Sequence, residues 1–413
     1  MRLVAGRLDG SIEVLDGYRP AGRSGRRLVP IAAQDLLPLP EEATLTQLPG
    51  RRPLAVDSDG GGVAVDGDWT AVAAVLPVGH LRTLLPATER TPDAHRLPLF
   101  GYTAVVEHDG DLMCAALRTD DFEWWQPARF GRADLPDAVA AARAALPGNR
   151  LVDHLATCAL VNRCYTAQNT FHRRYEGALP ASPACNADCL GCISLQSDGE
   201  VPAPQQRMSF APTADELVEL ADWHLRGEGA AIVSFGQGCE GEALTRDSAL
   251  VDATRRIRML HPAATIHVNT NGSKPHVLEQ LVDAGLNSVR ISAISFRDEV
   301  FRPYYRPVRY GLEDVLASGR LVAERGGQVC LNLLSFPGVT DAEAEIEATV
   351  QACRTMGVGQ VQWRSLNVDH DWLLEVLPQL PAGVGMRTAY HRVRSLLPGV
   401  EHGNFTRPVA AAV

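Results

Sequence analysis

Cys185-Asn186-Ala187-Asp188-Cys189-Leu190-Gly191-Cys192 places three thiols at the spacing C-x3-C-x2-C in a short segment that follows Pro180 and Pro183. A cubane iron-sulfur cluster normally takes four thiolates, so three in one loop leave one iron unclaimed by protein and open to chemistry. Two other readings stand beside this one. A structural zinc site uses four ligands, often as two C-x2-C pairs or with histidines near by. Here no second pair appears, and no histidine lies inside or directly after the segment. An inert trio is the third reading, because free cysteine packs as a small hydrophobe.

A second segment with chemical potential is Gly236-Gln237-Gly238-Cys239-Glu240-Gly241-Glu242-Ala243-Leu244. Glycines let backbone approach a ligand closely, and a carboxylate there pairs with an ammonium group. An ordinary strand-to-helix turn carrying a solvated glutamate is the plain alternative. Cys239 can donate hydrogen or bind a metal, or it is simply a buried small residue.

The cysteine segment resembles the cluster loop of the radical SAM enzymes, and Gly241-Glu242 resembles their Gly-Gly-Glu-Pro run, with Glu240 for the first glycine and Ala243 for the proline. That resemblance implies Cys185, Cys189 and Cys192 as ligands of a 4Fe-4S cluster whose fourth iron is chelated by S-adenosylmethionine (SAM). It implies cofactor contacts at Gly241, Glu242 and Ser292, with Glu240, Arg290, Asn271 and Arg364 as further candidates. The implied reaction is one-electron cleavage of SAM to a 5′-deoxyadenosyl radical, which abstracts hydrogen from a peptide or small metabolite. A reductant such as a flavodoxin or ferredoxin would supply the electron. A non-catalytic iron-sulfur or zinc-binding protein is the alternative. No cobalamin segment is recognisable, and Cys330 and Cys353 are too few and too separated for an additional cluster domain. One position departs from the family: the residue before the last cysteine is often aromatic and lies against the adenine, whereas here it is Gly191, which shifts that contact to Ile193 or Phe235.

Bulk properties fit an enzyme of this kind. The chain has 413 residues, enough for two or three domains, and 46% apolar content, enough for a sizeable core. A formal net charge of -10 gives no broad attraction for phosphate backbones, which argues against a nucleic-acid partner. No apolar run is long enough to span a bilayer, and residues 1–7 lack the core of a signal peptide, so a cytoplasmic location without membrane contact is expected. Nine cysteines, scattered outside the central loop, fit a reducing compartment.

The elements that must hold these residues follow from periodicity. Residues 1–148 are expected to be a β-rich accessory domain of short strands with frequent turns, as at Asp109-Gly110, and the aromatic group Phe122, Trp124 and Trp125 is read as core or interface packing. Residues 149–179 are a helical connection, with one helix spanning 151–173 that carries Cys158 and Cys164 on different faces. From 180 to 380, helices alternate with buried strands predicted at 230–235, 265–270, 288–295, 328–334 and 360–366. Thr213 and Glu216 form a capping box, and a helix over 341–355 opens at Thr340. With a first strand near 177–179 this is an α/β fold, a partial (β/α)6 TIM-like barrel whose site lies at the C-terminal strand ends. There Asn269, Thr270, Asn332 and Asn367 join the polar candidates. Residues 300–310, rich in Arg and Tyr, are expected to be a closing loop, and 381–413 a C-terminal extension covering the open side.

Overall fold

The computed structural model describes residues 1–409. Residues 2–118 build two antiparallel sheets of eight and six short strands. The hairpin joining Tyr102–His108 to Asp111–Arg118 turns at Asp109 and Gly110, both with positive φ (55° and 98°), the geometry that matches strand twist in a two-residue turn. Helices Leu135–Ala145, Arg150–Leu160 and Tyr165–Phe171 follow. The single helix expected over 151–173 is therefore two. The break falls at Arg163, whose φ of 53° is left-handed, and the Cys164 amide bonds back to the Cys158 carbonyl (2.9 Å).

The rest of the chain alternates strand and helix: β1 (Tyr175–Leu179), α1 (Ala214–Leu225), β2 (Ala230–Phe235), α2 (Asp247–Leu260), β3 (Thr265–Thr270), α3 (Pro275–Asp283) and β4 (Ser288–Ala293). Then come α4 (Asp298–Tyr305), α5 (Leu312–Glu324), β5 (Gln328–Ser335), α6 (Glu343–Met356), β6 (Gln360–Ser365), α7 (His370–Val376), α8 (Met386–Leu396) and β7 (Glu401–Gly403). The seven strands are parallel and lie in sequence order, the arrangement of an opened β/α barrel rather than of a sheet that reverses order at a central crevice. Val233, Phe235, Ile266, Val268, Val289, Ile291, Leu331 and Val361 pack the main core, each essentially without exposure. Arg290 of β4 reaches Gln362 of β6 (3.0 Å), across β5, on the polar face of the sheet.

Three expectations are corrected. Residues 300–310 are not an open loop: α4 covers their first half and buries Val300, Phe301, Tyr304 and Tyr305, because its apolar positions fall on one face. Helix α6 begins at Glu343, since the Thr340 hydroxyl accepts from the Phe336 amide (2.9 Å) and the buried Asp341 accepts from the Gly385 amide (3.2 Å), which keeps both residues in the loop. The C-terminal segment is more than a cover: β7 joins the sheet beside β6, and Thr406 and Val409 run inward to Arg290 (3.5 Å) and to Thr265 (2.8 Å).

The β-rich region grips the end of β6 with buried arginines. Arg82, fully buried, donates to the Leu366 carbonyl (3.1 Å), and burial pushes its guanidinium down to about 9. Arg51, also buried, pairs with Asp369 (2.7 Å) and Asp371 (3.4 Å). Asp369 further accepts from the Leu97 amide (2.7 Å) and caps α7. Removing one member of such a pair leaves an uncompensated buried charge. Asp369→Ala is expected to lower the unfolding free energy by about 3–5 kcal/mol in urea titrations; a loss within the range of ordinary surface substitutions would show that the Arg51 pair does not clamp the two regions.

Candidate active site

Residues 180–192 form no regular element, so their backbone groups must be satisfied by neighbours. Two structures supply the partners. On one side the β2–α2 loop lies alongside: the Gly241 amide donates to the Ser182 carbonyl (2.7 Å) and the Glu242 amide to the Ala184 carbonyl (2.8 Å). On the other side the last carbonyls of α4, which have no partner within their own helix, accept from the loop. Leu190 donates to Tyr304 (3.0 Å) and Asp188 to Tyr305 (3.1 Å), while the Val308 amide returns to the Asn186 carbonyl (2.9 Å).

Within this cradle Cys185, Cys189 and Cys192 are free and half-buried, and Cys192 lies close enough to raise the thiol pKa of the other two. Burial is the larger cause, pushing Cys185 up to about 11 and Cys189 well above the usual thiol range. Arg207 donates to the Cys192 sulfur (3.4 Å), and Ser194 lies 3.5 Å from it. Three thiols on one loop, with a cation beside them, form a donor set suited to a thiolate-ligated cluster with one iron left for another ligand.

The other candidates divide into two groups. Glu240, Gly241, Glu242 and Asn271 surround the cysteine loop. The buried Glu240 carboxylate accepts from the Ala181 (2.7 Å), Ser182 (2.8 Å) and Gln237 (2.6 Å) amides, and burial pushes it up to about 8 against their pull. Glu242, also raised by burial, accepts from Thr270 (2.6 Å) and from the Asn271 (2.8 Å) and Leu244 (3.1 Å) amides. Asn271 in turn donates to Asn186 (2.8 Å), between the first two cysteines. Ser292 accepts from Asn332 (2.9 Å), and its carbonyl takes the Tyr305 hydroxyl (3.0 Å). Asn269 is buried beneath, spanning His267 and the Phe235 carbonyl, and Asn367 is exposed at the end of β6.

Arg290 and Arg364 stand deeper, along a cavity of about 450 Å³ with Glu176, Ile193, Gln237, Thr406 and Trp125. Arg364 donates to the Asn404 carbonyl (2.6 Å), yet the Nε of each arginine is buried without a partner among the described residues. Glu176 is held by Ser234 (2.5 Å). Of the two residues expected to meet adenine, Ile193 lines this cavity, whereas Phe235 is fully buried in the core and has no free face. Gly191 has its own reason: a Cβ there would lie 2.7 Å from the Tyr304 hydroxyl and 3.2 Å from the Asn367 carbonyl, so no side chain fits.

Sequence reasoning passed over Tyr304, Tyr305, Asn186 and Arg207. The two tyrosines had a signal, an i, i+3, i+4 apolar stripe from Phe301 that marks a helix. Arg207 had none, because fifteen residues separate it from Cys192 without a recognisable element between.

The radical SAM superfamily model matches residues 179–350. A search of curated proteins found no match. Among solved structures, methylornithine synthase is similar at 14% identity and TM-score 0.38, over 64% of this chain and 72% of that one. A radical SAM methyltransferase from Sphaerobacter thermophilus is similar at 17% identity and TM-score 0.40, over 57% of this chain and 66% of that one. The [FeFe]-hydrogenase maturase HydG is similar at 14% identity and TM-score 0.40, over 67% and 66%.

The contact at Gly191 gives a direct test of the cradle. Gly191→Ala is expected to destabilise by about 1–3 kcal/mol through overpacking against Tyr304, and Tyr304→Phe in the same chain should recover at least half of that loss. Thermal unfolding of the two single variants and the double variant measures the coupling. Simple additivity would mean that Tyr304 does not fill this space.

Proposed function

We propose that this chain is an enzyme of the radical SAM superfamily, whose model matches residues 179–350 and whose members use a 4Fe-4S cluster and SAM, and that Cys185, Cys189 and Cys192 would hold the cluster next to a SAM site on the β2–α2 loop. The observation that carries this reading is the pairing of the two loops through the Gly241 and Glu242 amides, which sets the sulfurs beside Glu242, Gly241 and Asn271 at the C-terminal strand ends. When bound, the cluster and SAM supply reductive cleavage of the sulfonium and, from it, a carbon radical that takes hydrogen from a substrate. The chain's own residues do the rest. Glu242 would pair with the SAM ammonium, Ser292 and Asn271 would offer polar contacts, and Arg207 places positive charge beside Cys192, which would favour the more reduced cluster.

The substrate would occupy the 450 Å³ cavity below, a volume suited to a small metabolite or a single peptide side chain. Arg163, Arg290 and Arg364 stand against one carboxylate, Glu176, so the lining carries two positive charges in excess, and the Nε atoms of Arg290 and Arg364 have no hydrogen-bond partner among the described residues. Buried unpaired charge is costly, and an anionic substrate group such as a carboxylate would relieve it. This reading moves Arg290 and Arg364 from cofactor contact to substrate contact. An external one-electron donor completes the system.

Anaerobic reconstitution with iron and sulfide, followed by reduction with SAM present, should yield 5′-deoxyadenosine, and Cys→Ala at 185, 189 or 192 should abolish it together with cluster absorbance. Glu242→Gln should raise the SAM KM by about tenfold or more while the cluster stays intact, as expected for loss of a charge-assisted contact. An intact cluster that never yields 5′-deoxyadenosine would overturn the proposal.

A further inference from the structure

We propose that His154, Cys158 and Cys239 form a second metal site, separate from the three-cysteine loop, which binds a zinc ion and fastens the β2–α2 loop to the helix Arg150–Leu160. One ligand atom from each of the three residues lies within 4.8 Å of the others. His154 and Cys158 are i and i+4 on one helix, the spacing that stacks two side chains on one face. Cys239 enters from the loop after β2, some eighty residues later in sequence.

Several features mark the cluster as a built donor set. Cys158 and Cys239 are buried, 1% and 3% exposed, so neither is a chance surface thiol. The Nε2 of His154 is buried and has no hydrogen-bond partner among the described residues, although buried polar atoms normally find one. The Cys239 backbone is fixed by the Met208 amide, which donates to its carbonyl (2.9 Å), and the His154 ring lies against the same peptide. A cavity of about 310 Å³ opens beside the trio, lined by Asp153, Arg207, Met208 and Phe210 among others, and leaves room for water as a fourth ligand.

The chemistry selects the ion. Two thiolates and one imidazole with an open position suit tetrahedral zinc, whereas two sulfurs are too few for a cubane. Binding replaces two thiol protons by one dication, so two protons leave and the site becomes neutral. The ion would pin Cys239, next to Glu240 and three residues from Glu242, to a helix outside the parallel sheet. Its role is thus to hold the SAM-binding loop in place, and none of the three residues touches the reacting atoms.

The test uses the full chain with its reconstituted cluster. Elemental analysis after exposure to Zn2+ and dialysis should give about one zinc per chain alongside about four iron atoms. Cys158→Ala and Cys239→Ala should each remove the zinc and leave the iron. His154→Asn, at a half-exposed position that tolerates change, should weaken zinc retention about 10- to 100-fold. The triple Cys185/Cys189/Cys192→Ala chain should show the converse, losing iron and keeping zinc. Co2+ added to that triple variant should give the sulfur-to-cobalt charge-transfer and tetrahedral d–d bands, absent once Cys158 is also replaced. Zinc below about one-tenth per chain in the unaltered protein overturns the proposal. Zinc that follows the triple variant instead of Cys158 overturns it too, as does a Cys158–Cys239 disulfide in the isolated chain. None of these readouts depends on SAM turnover, so the outcome is independent of the function proposed above.

Discussion

A chain segment with no helix or strand of its own has to present three sulfurs in a fixed arrangement, and the constraint that governs this structure is where that segment's amides and carbonyls go. Left to water, they would let the cysteines wander. Instead, the unpaired carbonyls at the end of α4 take two of the amides, and the β2–α2 loop pairs with the entry to the segment in the manner of a short ladder. Each partner is itself anchored: Tyr304 and Tyr305 are buried in the main core, and Gly241 approaches Ala184 so closely that a Cβ would lie 2.0 Å from its carbonyl oxygen. The close fit at Gly191 belongs to the same device. At that position the loop packs directly against Tyr304 of α4.

The β-rich region is part of this support. Arg82 binds the carbonyl of Leu366, the residue after β6, and the Val368 amide bonds to the Phe100 carbonyl (3.3 Å). Leu366 and Asn367 are also the residues that close on Gly191. Displacing the amino-terminal sheets would therefore shift the floor of the cysteine loop. Asp120 extends the same logic to the other end of the chain, accepting from the Asn404 amide (2.8 Å) and from Arg407 (3.0 Å), which steers the C-terminal segment toward the polar face of the sheet.

Much of this was legible in the residues, for identifiable reasons. The strands over 230–235 and 265–270 coincide with β2 and β3 because short, largely buried segments carrying Ile and Val between turn residues mark parallel strands, and the Thr213 capping box forms as its pattern requires. The cysteine spacing and the Gly-Glu run are local signals and needed no tertiary knowledge. What escaped was non-local. Residues 300–310 contain Pro303 and a cluster of arginines, which suggested a loop, yet Pro303 sits inside α4 and burial of Tyr304 and Tyr305 outweighs its cost. The seventh strand is three residues long and exists only because β6 offers an edge. The encounter of Cys239 with His154 and Cys158 escaped as well, since only the fold brings that loop to the helix.

The β2–α2 loop emerges as the element on which unrelated parts of the molecule converge. In seven residues it offers Glu240 to the amides that lead into the cysteines, Glu242 to the end of β3, and Cys239 to a helix from the connection between the two regions. Each attachment alone fixes one point and leaves the loop free to pivot. Three attachments in different directions remove that freedom, and the conformational entropy of a glycine-rich segment is lost on folding rather than on cofactor binding. Backbone amides hold the buried Glu240 and Glu242 side chains, so the acceptors of this loop are already oriented on folding.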